Sequence, residues 1–142
     1  MHCFLFHPDK PDPKLKMSSD AWNRLNLISS SERRANGFMA AWCAPCVREL
    51  PILARLCDKY ENKGLNLIGV SLDISGPSAM QPIVSRLNVN FPVYWVGEKA
   101  ISQYQIKSIP LLFLVKDGRI VRQIAGKQSE IFLDHQIRKF LE

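Results

Sequence analysis

Two cysteines carry the chemistry that can be read from this sequence. In Trp42-Cys43-Ala44-Pro45-Cys46 they stand two residues apart, a spacing that lets a small disulfide ring close or open with redox conditions. The pair lies where the hydropathy pattern changes. A small apolar run, Gly37-Phe38-Met39-Ala40-Ala41, precedes it. After it, Cys46, Leu50, Leu53, Cys57 and Tyr60 recur at steps of three and four, while Arg48, Arg55 and Lys59 fall elsewhere. This predicts a strand followed by a helix that starts at Cys43. At a helix start the backbone N–H groups lack partners and the positive end of the dipole points outward. Such a place favours a thiolate, bringing a thiol pKa from about 8.5 down to roughly 3.5–7.5. Pro45 suits a first turn, where its missing N–H is not needed. Cys43 is therefore expected to be the exposed, attacking sulfur, with Cys46 behind it.

A C-x-x-C pair has other uses. Zinc wants four ligands, commonly from a second nearby pair, but Cys3, Cys57, His2, His7 and His135 are scattered without ligand spacing. Attachment of c-type haem needs His after the second cysteine, and Val47 is there instead. Cys57 falls on the apolar stripe of the helix and reads as a buried, inert thiol.

The elements that must position the pair follow in order. Residues 7–16, with three prolines and alternating Asp and Lys, read as an extended tail. Ser18-Ser19-Asp20 caps a short helix through Ile28, and Ser29-Ser30-Ser31 is a loop. Arg34 to Ala41 forms a central strand, although Asn36 and Gly37 are poor strand formers. The redox helix runs from Cys43 to Tyr60, with a kink expected at Pro51. Leu65 to Leu72 is a buried strand, Asp73 to Pro77 a loop, and Ser78 to Leu87 a helix. Phe91 to Val96 is β-rich and Glu98 to Tyr104 a short helix. Leu111 to Val115 is a strand entered through Pro110, and Lys116-Asp117-Gly118-Arg119 turns it into a hairpin with Ile120 to Ala125. Ser129 to Leu141 is the last helix, with Ile131, Phe132, His135, Ile137, Phe140 and Leu141 on its approximate apolar face. Alternating strands and helices make the first part of the sheet parallel, and the hairpin adds an antiparallel pair.

The chain's 142 residues suffice for one domain with a core that needs no disulfide staples. No apolar run is long enough to cross a bilayer. The net charge is +6, spread as six Lys/Arg against four Asp/Glu over residues 1–36 and thirteen against nine over 37–142. So diffuse an excess speaks for solubility and mild attraction to acidic partners. Nucleic acid is not an expected partner, because no basic stripe is interleaved with aromatics. Met1 to His7 is too short for the apolar segment of a signal peptide and has no basic flank. Either the protein is cytoplasmic, or this chain lacks an export segment.

With these residues in place a family becomes visible. W-C-x-x-C at a strand–helix junction, Ile109-Pro110 before an apolar strand, Lys116-Asp117-Gly118 and a later glycine resemble the thioredoxin fold. Tyr104 to Gly118 is close to the second half of thioredoxins. Cys46-Val47-Arg48-Glu49-Leu50-Pro51 resembles the C-x-x-E-x-P of the TlpA/ResA type, bacterial thiol–disulfide proteins usually tethered outside the inner membrane. The resemblance covers residues 37–142, taken as the thioredoxin-like domain, and leaves 1–36 as an N-terminal extension packed on or beside it. It implies an α/β thioredoxin fold: a central mixed sheet flanked by helices, with an extra strand–helix insertion between Leu65 and Phe91.

It also implies thiol–disulfide exchange with protein substrates, a cis Ile109–Pro110 bond packed against the cysteines, and a site outside the inner membrane. Trp42, Ile109 and Pro110 are the expected substrate-binding residues, the Ile109 backbone pairing with an extended strand. Thioredoxins proper carry a buried aspartate six residues before the first cysteine, where this chain has Gly37. Glu49, one helical turn past Cys46, is the expected substitute in moving protons to and from it; the competing expectation is a solvated glutamate paired with a neighbouring arginine. No cofactor or metal is expected, the protein should be a monomer, and a separate redox partner must recycle the pair. Two other classes remain: a module that holds copper or zinc with Cys43 and Cys46, and a peroxide-reducing enzyme. The latter needs a T-x-x-C that is absent here.

Overall fold

The computed structural model describes residues 33–142. The tail at 7–16, the helix at 18–28, the loop at 29–31 and the proposed extension as a whole up to Glu32 lie outside them. Strand β1 (Arg33–Met39) leads into helix α1 (Ala44–Tyr60), then come β2 (Leu65–Ser71), α2 (Gln81–Arg86), β3 (Val93–Trp95), α3 (Lys99–Gln103), β4 (Leu111–Lys116), β5 (Arg119–Ala125) and α4 (Glu130–Phe140). The five strands make one sheet in the order β3-β2-β1-β4-β5. β1 pairs parallel with β2 and antiparallel with β4. β3 runs parallel beside β2, and β5 antiparallel beside β4. This is the expected mixed sheet flanked by helices. Because β1 begins at Arg33, the strand starts ahead of the boundary drawn at 36/37.

β1 is central, and burial there overrides the weak strand preference of Asn36 and Gly37: every residue after Arg33 is buried. Opposite Gly37 on β2 stands Gly69. A Cβ at Gly69 would meet Met39 Cε and Val93 Cγ2 at 3.0 Å, so only glycine lets these side chains close over the strand.

Two apolar layers cover the sheet. One joins α1 and α4 to it through Leu50, Leu53, Leu56, Leu67, Leu112 and Leu133. Each fully buried leucine contributes roughly 1.5–3 kcal/mol. The other packs Phe38, Ile68, Val70, Phe113 and Ile106 with Ala100 of α3, and here Phe38 and Phe113 meet edge to face at 4.8 Å. On α1 the predicted stripe of Cys46, Leu50, Leu53, Cys57 and Tyr60 is buried as a set. Pro51 lies inside the helix, which continues to Tyr60.

The last helix departs from expectation. Its buried residues are Leu133 and Ile137, whereas Ile131 and Phe132 are exposed and His135 faces solvent. Ser129 caps the helix by accepting the Phe132 N–H on its side chain. That start sets the phase, so the stripe runs through Leu133 and Ile137 at a step of four. Asp134, beside them, takes hydrogen bonds from Tyr60 and Lys59 and ties α4 to the end of α1.

β5 is an edge strand, exposed along most of its length, with a register shift opposite Leu114/Val115. The turn before it places Asp117 and Gly118 at φ of 54° and 75°, left-handed backbone that suits this Asp-Gly pair. No described helix is long and apolar enough to cross a membrane.

Candidate active site

Past Met39, the last residue of β1, the chain makes a tight turn in which the Cys43 N–H donates to the Ala40 carbonyl at 3.1 Å. Cys43 is the N-cap of α1, with extended backbone (φ −91°, ψ 98°), and Pro45 occupies the first turn. The Cys46 N–H donates to Cys43 Sγ at 3.3 Å, one of the orphan amides of a helix start turned toward sulfur. No acidic residue stands in that first turn to oppose a thiolate.

Cys43 and Cys46 are joined in a disulfide. Both are buried, 5% and 3% exposed, so the expected contrast between an exposed Cys43 and a covered Cys46 is absent in this oxidised form. The Ile109 carbonyl oxygen lies 3.8 Å from Cys43 Sγ and screens it on one side. Exposure falls on Trp42 instead, whose side chain is 74% accessible.

The Ile109–Pro110 peptide is cis. Trp42 and Ile109, with Leu72, Ile74, Ile101 and Ile106, line an apolar groove of about 430 Å³ beside the disulfide. Pro110 sits at the entrance to β4, and its carbonyl accepts the Gly126 N–H at 2.8 Å.

Glu49 is buried, 4% exposed, one turn along α1 from Cys46 and on the same buried face. Its carboxylate accepts the Gln128 N–H at 3.2 Å. Burial pushes its pKa up, while that hydrogen bond and the charge of Lys127 pull the other way. Among the described residues no arginine is bonded to it; Arg55, further along α1, is bonded to Glu130. Gly37 stands in β1, where an added Cβ would face Leu53 and Met39 in the apolar layer.

The structure thus brings Cys43, Cys46, Trp42 and Ile109 together, with Pro110 directly following and Glu49 beneath the helix. Cys57 is fully buried as expected, but it is disulfide-bonded rather than a free thiol; burial on a stripe does not distinguish the two. Sequence reasoning missed Gln128 and Lys127, which reach Glu49 from the connection between β5 and α4. It also left Asp73 in a loop, although its side chain bonds to Ala41 at the turn into Cys43.

A disulfide-forming cysteine pair at the start of the first helix after the central strand, with Ile109-Pro110 entering the neighbouring strand, is the arrangement of a thioredoxin fold. Over residues 35–124 the sequence matches the AhpC/TSA family. It is 35% identical over 104 residues to the thiol-disulfide oxidoreductase ResA of Bacillus thuringiensis, covering 72% of this chain and 60% of that one. The chain therefore spans about three-fifths of the length of that relative. Among solved structures, StoA from Bacillus subtilis superposes with a TM-score of 0.68 at 22% identity, over 82% of this chain and 87% of that one. A secreted Mycobacterium tuberculosis disulfide oxidoreductase gives 0.67 at 19%, over 76% and 81%. The chain belongs to the AhpC/TSA family, and among its relatives it is similar to ResA.

Proposed function

We propose that the protein exchanges disulfides with protein substrates through Cys43 and Cys46. The Cys43 thiolate attacks a substrate disulfide, forming a mixed disulfide and expelling one substrate thiolate. Cys46, as thiolate, then attacks Cys43 Sγ, releases the second substrate thiolate and closes the Cys43–Cys46 bond. The substrate gains two electrons and the protein loses them. Glu49 exchanges the proton of Cys46 in the resolving step. Burial raises its pKa, which suits a group that must both take and return a proton. Trp42, Ile109 and Pro110 receive the substrate, with the Ile109 backbone pairing to an extended segment. A separate redox partner recycles the pair.

The observation that carries this reading is the Cys43–Cys46 disulfide at the start of α1, with an amide already aimed at the attacking sulfur. Its test is Cys46→Ser, which retains attack and loses resolution. That variant should accumulate mixed disulfides with substrate proteins, and Cys43→Ser should accumulate none. Absence of any trapped partner where the wild type is active would remove Cys43 as the attacking group. The reduction potential of the pair, measured against glutathione buffers, places it between reductant and oxidant on a scale from about −270 to −120 mV.

The proposed compartment lies outside the inner membrane. Support comes from the resemblance to the TlpA/ResA type and from the secreted relative among the structural neighbours. Fractionation of cells making the full-length protein decides it: recovery with the cytoplasm would overturn the assignment.

A further inference from the structure

Asp73 takes no part in the steps above, yet its carboxylate is buried, 2% exposed, and filled with donors. It stands two residues beyond β2. There Ser71 pairs with Met39 in the register of β1 and β2, and the Leu72 N–H donates to the Met39 carbonyl at 2.9 Å. This brings the side chain against the turn that leaves β1. Both carboxylate oxygens face the Ala41 N–H, at 3.0 and 3.1 Å. The Ser71 hydroxyl donates to Oδ2 at 2.7 Å, and the Asp73 N–H donates back to Ser71 Oγ at 3.3 Å. On the β3 side, the Trp95 indole N–H donates to the Asp73 carbonyl at 2.6 Å.

Ala41 belongs to neither β1 nor α1, so its amide has no ladder or helix partner. Without Asp73 this half-buried amide loses both oxygens that hold it, and the turn loses its tie to the end of β2. Two residues later comes Cys43, whose sulfur meets the Cys46 amide only while the turn keeps Cys43 in its extended N-cap conformation.

We propose that Asp73 is a positioning residue for the thiol–disulfide exchange assigned above: by holding the Ala41 amide it fixes the turn from Ala40 to Cys43 and keeps Cys43 Sγ on the helix N-terminus. The link runs across the sheet, from the end of β2 to the start of α1. It rests on that exchange reading only for its purpose, since the geometry of Cys43 is measurable without a protein substrate.

The charged groups around the cysteines are Asp73, Glu49 on α1, Lys107 lining the groove and Lys127 beside Glu49. Charge and position predict opposite signs at Asp73. Removing a nearby negative charge alone would make the Cys43 thiolate easier to form. Losing the anchor takes the sulfur off its amide and makes the thiolate harder to form.

The experiment is the pH profile of Cys43 alkylation by iodoacetamide in the reduced full-length chain, read by peptide mass mapping. Asp73→Ala should shift the profile to higher pH and slow alkylation about tenfold near neutrality, with the high-pH plateau kept. Asp73→Asn keeps an oxygen for the Ala41 amide while losing the charge, and should react at least as fast as wild type. Ser71→Ala, which only loosens the carboxylate, should show a smaller shift in the same direction as Asp73→Ala and decides the matter if Asp73→Ala does not fold. An unshifted profile in Ser71→Ala and Asp73→Ala, or an Asp73→Asn profile as slow as that of Asp73→Ala, overturns the proposal. A wild type that alkylates at Cys43 but traps no partner as Cys46→Ser would instead sink the exchange reading and leave Asp73 in place.

Discussion

Glu49 and Asp73 are withdrawn from water to nearly the same degree, but protein groups replace that water in different measure. Around Asp73 an amide and a hydroxyl occupy the carboxylate, and its own backbone joins the network. Around Glu49 there is one amide, from Gln128, with Lys127 as the nearby charge. A single donor does not restore what burial removes, and the Glu49 pKa is raised. Burial alone therefore does not set the role of an acidic side chain. The donors left to the two differ: Asp73 is bonded to the backbone of the turn and to Ser71, whereas Glu49 has the Gln128 amide. Glu130, exposed and paired with Arg55, marks a third condition, an acid still solvated by water.

The largest expected effect that separates the first two is on turnover. Glu49→Gln keeps size and shape but removes the exchangeable proton. Resolution of a mixed disulfide preformed on Cys43 should slow by about 10²–10⁴-fold, most strongly near neutral pH, with Cys43 alkylation little changed. Turnover equal to wild type across roughly pH 6–9 would return Glu49 to a purely structural part.

A second effect concerns stability and has a definite sign. Because the folded-state pKa of Glu49 lies above its ordinary value of 4.5, the folded protein holds that proton more tightly than the unfolded chain does. The contribution is fully present below the ordinary value and is lost as pH rises through the raised one. Glu49→Gln has no such dependence. Its urea midpoint should gain on that of wild type as pH rises from that ordinary value to above the folded one. A difference that shrinks instead means that Glu49 is stabilised as an anion. The smallest effect belongs to the solvated acid: Arg55→Ala should leave the midpoint unmoved within error, because exposed pairs gain little over water.

The contrast also marks what the sequence could reveal. Glu49 was legible because the resemblance pointed to an acid missing at Gly37, and helical spacing puts Glu49 one turn past Cys46 beside its apolar stripe. Asp73 was not, because its partner Ala41 lies across a parallel crossover, and nothing in Ser71-Leu72-Asp73 announces which strand will lie alongside. The parallel first part of the sheet followed from alternating elements, and the antiparallel hairpin from the Asp117-Gly118 turn; the order of the strands did not. The face of α4 followed only in part: Ile137 turns inward as expected, but Leu133 joins it in place of the exposed Ile131 and Phe132. The Ile109 carbonyl that meets Cys43 Sγ stands 66 residues away, a distance no local pattern spans.

The open margin of the sheet at β5 has a consequence for crowding. An unpaired strand offers free N–H and C=O groups to any second strand, the usual route to edge-to-edge association. Here Arg119 and Arg122 stand on that strand, and its pairing with β4 is interrupted by the register shift at Leu114/Val115. Two copies aligning antiparallel along this margin would bring guanidinium groups toward guanidinium groups across a bent ladder. Like charges brought together there repel, and a bulged strand is a poor template for a straight one. Among the described residues, the margin at β5 thus carries features that disfavour edge-to-edge pairing with a second copy.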